Sequence, residues 1–342
     1  MPMKYKIIDK DKLPGLLDAI IERYRVIAPV DTGKHFRLTE ISSGEEADLG
    51  LQNTKLASKE ILFPQTEVIL RVRKGEEGLE AEEVSVEDRD WVLFGIRPCD
   101  AKGLTLIDEP FTSGEYEDTP YTDKRGKTSI VGLACIHPRA TCFCTSLGGS
   151  PFGREGMDLQ LVDLGNEYLI EILTEKGDRL VEGVQGLRDA SDDDIAKAER
   201  LSVEAEGAFK DKLSVEGLSE KLEGMFEDPI WDEIHLKCVG CGVCCFLCPT
   251  CTCFDILDEE TATEVKRIRL WDTCQFTHFT LQGSGFNPRP SGKERMRQRI
   301  MHKFSYFPKE FGKIACVGCG RCVQECPVNL DIREIIKEIM SV

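Results

Sequence analysis

The chain has no apolar run approaching the length of a membrane span. Its first residues, Met1-Pro2-Met3-Lys4-Tyr5-Lys6, carry no apolar signal-peptide core. It also has no basic excess: 44 Lys and Arg stand against 61 Asp and Glu, a formal net charge of −17. Binding to a phosphate backbone needs a basic footprint, so a nucleic-acid surface is not expected. The acidity serves solubility and can steer a basic partner surface into place. His235, His278 and His302 lack metal-type spacing, and no nucleophile–base pair stands out, so no catalytic residue is assigned. No glycine cluster sits between a strand and a helix in the way a dinucleotide fingerprint requires, so hydride chemistry should reside elsewhere. Cysteine, by contrast, is abundant: sixteen in 342 residues. In a short secreted chain that count would mean disulfides. In a long, charged chain of this kind it points to free thiolates in a reducing, anoxic cytoplasm.

Two runs give those thiols a purpose: Cys238-x2-Cys241-x2-Cys244-x3-Cys248-Pro249 and Cys316-x2-Cys319-x2-Cys322-x3-Cys326-Pro327. Three thiolates at every third residue can wrap one face of an iron–sulfur cubane, and the fourth, before proline, is carried away from its own loop. A zinc ribbon needs two C-x2-C pairs on one tetrahedral ion and no third evenly spaced cysteine. Two [4Fe–4S] clusters are therefore expected, with single-electron transfer as the central function. If the fourth cysteine crosses, Cys238, Cys241, Cys244 and Cys326 hold the first cluster, and Cys316, Cys319, Cys322 and Cys248 hold the second. The alternative keeps each quartet local. Crossing would tie together segments nearly eighty residues apart, so metal loss should unfold this part.

The expected fold is α+β: a mixed α/β domain over 1–220, then an α-helical ferredoxin-like dicluster domain over 221–342. Leu13 to Tyr24 has helical apolar spacing, Pro29 to Gly33 reads as a loop, and Val68, Leu70 and Val72 alternate as in a strand. Trp91 to Ile96 and Ser129 to Ala134 look like short buried strands, with Asp100 as the N-cap of a helix from Ala101 to Ile107. Asp158 to Val162 and Tyr168 to Leu173 suggest a hairpin across Gly165-Asn166. Ser191 should cap an acidic helical stretch, Ser291-Gly292-Lys293-Glu294 has capping-box form, and helical patterns cover Leu218 to Phe226 and Leu330 to Met340.

Four more cysteines lie in the first domain. Cys99 follows the strand at 91–96, Cys135 follows the strand at 129–134, and Cys142 and Cys144 sit on the loop just beyond. If a crossover joins the strands they are parallel, and the thiols gather at one sheet edge, where ligands of open α/β sheets bind. A third metal centre is the reading adopted, an iron–sulfur cluster in preference to zinc; unligated loop cysteines are the alternative. Cys245, Cys251, Cys253 and Cys274 read as small buried hydrophobes or thiols beside a cluster, or as replacement ligands. Arg289, Lys293, Arg295, Arg297, Arg299 and Lys303 form a basic concentration that could balance cluster charge, dock an acidic partner, or simply face solvent.

Arg97-Pro98-Cys99-Asp100, the segment from Cys135 to Cys144, Cys248-Pro249-Thr250-Cys251-Thr252-Cys253-Phe254-Asp255, Trp271-Asp272-Thr273-Cys274-Gln275-Phe276 and Leu38-Thr39-Glu40-Ile41 carry a resemblance. With them the chain resembles the iron–sulfur subunit family shared by anaerobic sulfite reductase and, as its beta subunit, cytoplasmic sulfhydrogenase. The resemblance implies a non-catalytic relay linking a flavin- and NAD(P)H-binding iron–sulfur subunit to a catalytic hydrogenase or sulfite/sulfur reductase subunit. It also implies [4Fe–4S] ligation by the eight cysteines of the two runs. A competing reading makes the chain a reductase of a sulfur compound at Cys99, Cys135, Cys142 and Cys144. A third makes it a zinc-based interaction or nucleic-acid module.

Overall fold

A computed structural model describes residues 4–75, 78–84, 88–210 and 212–342. Twelve strands are described: β1 (Lys4–Asp9), β2 (Arg25–Asp31), β3 (Phe36–Glu40), β4 (Thr66–Gly75), β5 (Gly78–Glu83), β6 (Trp91–Ile96), β7 (Thr128–Leu133), β8 (Leu159–Asp163), β9 (Glu167–Ile172), β10 (Arg188–Asp189), β11 (Phe254–Glu260) and β12 (Glu264–Trp271). Eight of them form one sheet in the order β10-β1-β9-β8-β7-β6-β2-β3. Its centre is parallel, β2 with β6, β6 with β7 and β7 with β8, and its flanks are antiparallel. Every residue of β7 is buried, which is why that strand reads as a continuous run rather than an alternation. One face packs on the helix Leu13–Ile21 through Leu17, Ile20, Val131 and Ile170. The other carries the helix Pro98–Thr112 through Leu104 and Ile107, against Leu93 and Ile130.

Two local expectations are corrected. Pro29, Val30 and Asp31 belong to β2, not to a loop. The β2–β6 ladder covers only Arg25 to Ile27, so Pro29 lies beyond it and its missing N–H breaks no bond on that side. Asp100 does not cap the helix after β6. The helix begins at Pro98, whose fixed φ suits the first turn, and Arg97 takes the extended cap conformation. Asp100 is buried and engaged elsewhere.

The C-terminal third is not all-helical, which corrects the α-helical expectation. β11 and β12 form a hairpin that joins β4 and β5 in a second, antiparallel sheet of order β11-β12-β4-β5. Residues 66–83 and 254–271 thus share one set of backbone hydrogen bonds, and the Trp271 indole N–H donates to the Phe63 carbonyl at 3.0 Å. The remaining helices pack around Trp231, Leu222, Ile300, Phe304 and Ile336. The expected Ser291 capping box forms for Gly292–Met301, and the expected cap at Ser191 for Asp192–Gly207 is a capping box as well.

Candidate metal centres

Cys238 and Cys241 lie on the turn leading into the short helix Val243–Phe246, Cys244 lies within it, and Cys248 follows it. Gly240 and Gly242 adopt positive φ, as do Gly318 and Gly320 in the second run, so each loop can curl its thiols inward. The Gly240 N–H points at Cys238 Sγ from 3.4 Å, and the Leu330 N–H at Cys326 Sγ from 3.2 Å. Cys248 packs against Cys251, and its sulfur lies 3.3 Å from Lys303 Nζ, which also donates to the Ala315 carbonyl just before the second run at 3.0 Å. Burial pushes Cys316 and Cys322 up to about 12, and Cys248 adds to the rise of both and of Cys319. A metal ion bound at such sulfurs would stabilise the thiolate and release the proton to solvent.

The four first-domain cysteines also come together. β6 and β7 are parallel, so Cys99 on the first turn after β6 and Cys135 just after β7 emerge at the same edge. Cys142 and Cys144 complete the lining of a small cavity of about 30 Å³, shared with Arg97, His137, Arg139, Gly318 and Cys319. Burial raises all four thiols, Cys142 to about 11 and Cys144 to about 12. The Cys142 thiol stands 3.6 Å from the Cys319 carbonyl. Close packing of the two loops makes this contact possible: a Cβ on Gly318 would lie 2.5 Å from the Cys144 nitrogen, and one on Gly320 would lie 2.6 Å from the Thr141 carbonyl carbon.

Charge compensation runs through this region. On one helical face, four residues apart, Arg299 and Lys303 are buried at 5% and 3% exposure. A π-helical turn over His302–Tyr306 carries Lys303. Its Nζ lies 3.3 Å from Cys248 Sγ and 3.0 Å from Thr250 Oγ1. Burial opposes charge on both cations, yet the neighbouring thiols raise both well above their ordinary values. Among the described residues neither makes an ion pair, and Arg299 Nε has no hydrogen-bond partner. A buried cation without a carboxylate is costly. An anionic iron–sulfur cofactor held by these thiols would supply the missing negative charge, so the residues present fit the group. Of the basic residues singled out in the sequence, Arg297 instead turns to Phe226 and Lys293 to Asp232.

Sequence reasoning passed over one feature and left the arrangement of a second open. Arg321, between Gly320 and Cys322, is fully desolvated and forms a two-pronged ion pair with Asp100, both contacts at 2.7 Å. It also donates to the Thr54 carbonyl. The Cys99-Asp100 and Arg321-Cys322 dipeptides were the available signal, since each sets a charge beside a thiol. The second feature is a nest of thiols: Cys245, Cys251 and Cys274 are buried together, with Cys244, Cys248, Cys253 and Phe279 against them. Among the described residues no three His, Cys, Asp or Glu side chains converge as they would on a single metal ion.

Residues 237–330 match the family described as a 4Fe-4S dicluster domain, which places two [4Fe–4S] clusters in the C-terminal part of the chain. The whole chain is similar to sulfhydrogenase 2 subunit beta of Pyrococcus furiosus, 32% identical over 342 residues and covering 98% of each protein. No helix among the described residues is long and apolar enough to cross a membrane.

Proposed function

This chain belongs to an iron–sulfur subunit family that includes the sulfhydrogenase beta subunit, and from that premise we propose its place in a larger redox complex. It relays single electrons, in the cytoplasm, linking a flavin- and NAD(P)H-binding iron–sulfur subunit to a catalytic hydrogenase or sulfite/sulfur reductase subunit. Cys238, Cys241, Cys244 and Cys326 hold one [4Fe–4S] cluster, and Cys316, Cys319, Cys322 and Cys248 hold the other. Cys99, Cys135, Cys142 and Cys144 hold a third. When bound, these clusters supply one-electron carriage at a potential set by their surroundings.

The observation that carries the reading is the contact of Cys248 with Lys303, whose amine also reaches the Ala315 carbonyl beside Cys316. A cysteine from the first run tied in this way to the start of the second brings the two sets near each other, as a relay requires. The chain's own part is to position thiolates, to exclude water with the Trp231 and Phe304 core, and to aim N–H groups and buried cations at sulfur. Cys142, against the Cys319 backbone, extends the series toward the eight-stranded sheet.

The test is anaerobic isolation from the native host with every co-purifying chain identified, followed by coupled turnover from NAD(P)H. Cys248→Ser should abolish coupled turnover while the flavin subunit still reduces an artificial dye. The cavity lined by the first-domain thiols with His137 and Arg139 favours a second reading, a reductase of a small sulfur compound at that site. Turnover of such a compound by the isolated, cluster-replete chain with an artificial donor would establish that reading and overturn the relay.

A further inference from the structure

We propose that Cys245, Cys251, Cys253 and Cys274 hold an additional [4Fe–4S] cluster, so that all sixteen cysteines serve as ligands in four sets of four. The count rests on the three ligand sets proposed above, which leave these four thiols over. The gathering of the four does not depend on that reading.

They come from three segments. Cys245 lies in the helix Val243–Phe246, Cys251 and Cys253 flank Thr252 just before β11, and Cys274 follows β12. The hairpin that overturned the all-helical expectation brings them together: its ladder pairs Phe254 with Trp271, so the residues just before β11 and just after β12 lie side by side. Cys245 and Cys274 face each other at 3.9 Å, Cys251 approaches Cys245, and Cys253 approaches Cys274. The sulfurs are free thiols, too far apart for a disulfide, whose S–S bond is about 2.05 Å. They are not gathered as three ligands of one ion either.

Buried thiols acting only as small hydrophobes would need no counter-charge, yet a lysine is aimed at these, its pKa lowered by burial and raised in part by Cys251, Cys248 and Cys245. Lys59 reaches them from the short helix Lys59–Leu62 in the first part of the chain and is 2% exposed. Its Nζ donates to the Cys251 carbonyl at 2.6 Å and stands 4.2 Å over the Trp271 ring. Among the described residues it makes no ion pair. Arg299 approaches Cys245 and Cys251 from the opposite element, again without a carboxylate. The Gln275 side-chain amide, fixed by the Arg295 carbonyl at 2.9 Å, donates to Cys274 Sγ at 3.5 Å. Four thiolates around iron and sulfide carry net negative charge, which pairs with Lys59 and accepts the Gln275 N–H. Cys244 and Cys248, from the two dicluster sets, border this nest, so the added centre would be in electronic reach of both.

Native mass spectrometry of the anaerobically isolated full chain, with iron, zinc and acid-labile sulfide analysis, tests the proposal. Four cluster increments and about sixteen irons per chain are expected. Cys251→Ser combined with Cys274→Ser should remove one increment, about four irons, whereas Cys142→Ser should remove a different one. An unchanged iron count in the double variant overturns the proposal, and so does stoichiometric zinc in the wild-type chain. Should the double variant fail to fold, the wild-type count decides, with three increments or fewer overturning it. A chain without any iron would instead sink the relay itself, so the two failures are distinguishable.

Discussion

Lys303 places a positive charge 3.3 Å from the sulfur of Cys248, in a setting with little water to screen it. Such a charge favours the reduced, more negative form of a cluster held there. Lys303→Met should therefore shift a midpoint potential to more negative values, by on the order of tens of millivolts. A redox titration followed by electron paramagnetic resonance reads the shift, and an unmoved or more positive potential would contradict it. The neighbouring His302 tests burial itself. Desolvation, with the charges of Lys303 and Arg289, lowers its pKa from 6.5 to about 4. The unfolded chain takes up that proton below about 6.5 and the folded chain does not, so stability is full above about 6.5 and declines as pH falls toward 4. The loss reaches at most about 3 kcal/mol. His302→Phe, whose ring can keep the edge contact with Phe307, should flatten the dependence of the unfolding midpoint between pH 7 and 5.

At the scale of elements, a tightly constrained contact lies between the second cysteine turn and the loop at 141–144. The Phe143 N–H donates to the Gly318 carbonyl at 2.8 Å, and Gly318 and Gly320 both have positive φ. Gly318→Ala introduces a methyl into the Phe143–Cys144 backbone and strains φ as well. It should cost on the order of 3 kcal/mol and release iron from the proposed Cys99, Cys135, Cys142 and Cys144 site first. Gly285→Ala is the control: its φ is also positive, but nothing lies within 4 Å of the added carbon. Comparable loss of iron in both variants would mean that φ strain, not loop contact, is responsible. The β11–β12 hairpin is legible in part, since Ile268 and Leu270 alternate with charged residues, but the helical patterns at Leu218 to Phe226 and Leu330 to Met340 led to the all-helical expectation.

Across the whole molecule, the buried Arg321–Asp100 pair and the antiparallel sheet of β4, β5, β11 and β12 join the sequence halves. Asp100→Ala leaves a desolvated guanidinium without its carboxylate and should destabilise the chain by about 3–5 kcal/mol. Replacing both partners, Asp100→Leu with Arg321→Met, should recover much of that loss, because the penalty lies in the unpaired charge. Equal destabilisation of single and double variants in chemical denaturation would refute this. The core of the eight-stranded sheet, by contrast, contains no thiol. Anaerobic iron chelation should accordingly melt the region around the cysteine runs while the signature of the large sheet persists, giving two transitions where the intact protein gives one.

Spacing along the chain was enough to specify the dicluster runs, the β8–β9 hairpin, the Ser191 cap and the Ser291 capping box, because each depends on neighbours within a few residues; the β6–β7 pair was parallel only on condition that a crossover joined the two strands. On that condition local pattern also placed Cys99, Cys135, Cys142 and Cys144 at one sheet edge, since parallel strands must end on the same side. Tertiary structure alone decided the fate of Asp100, the burial of Arg299 and Lys303, the reach of Lys59 and the meeting of Cys245 with Cys274. Those partners lie tens to hundreds of residues apart, and their contact depends on which surfaces pack together. A linear pattern records which side chains can bind, whereas burial and charge balance are properties of the assembled interior.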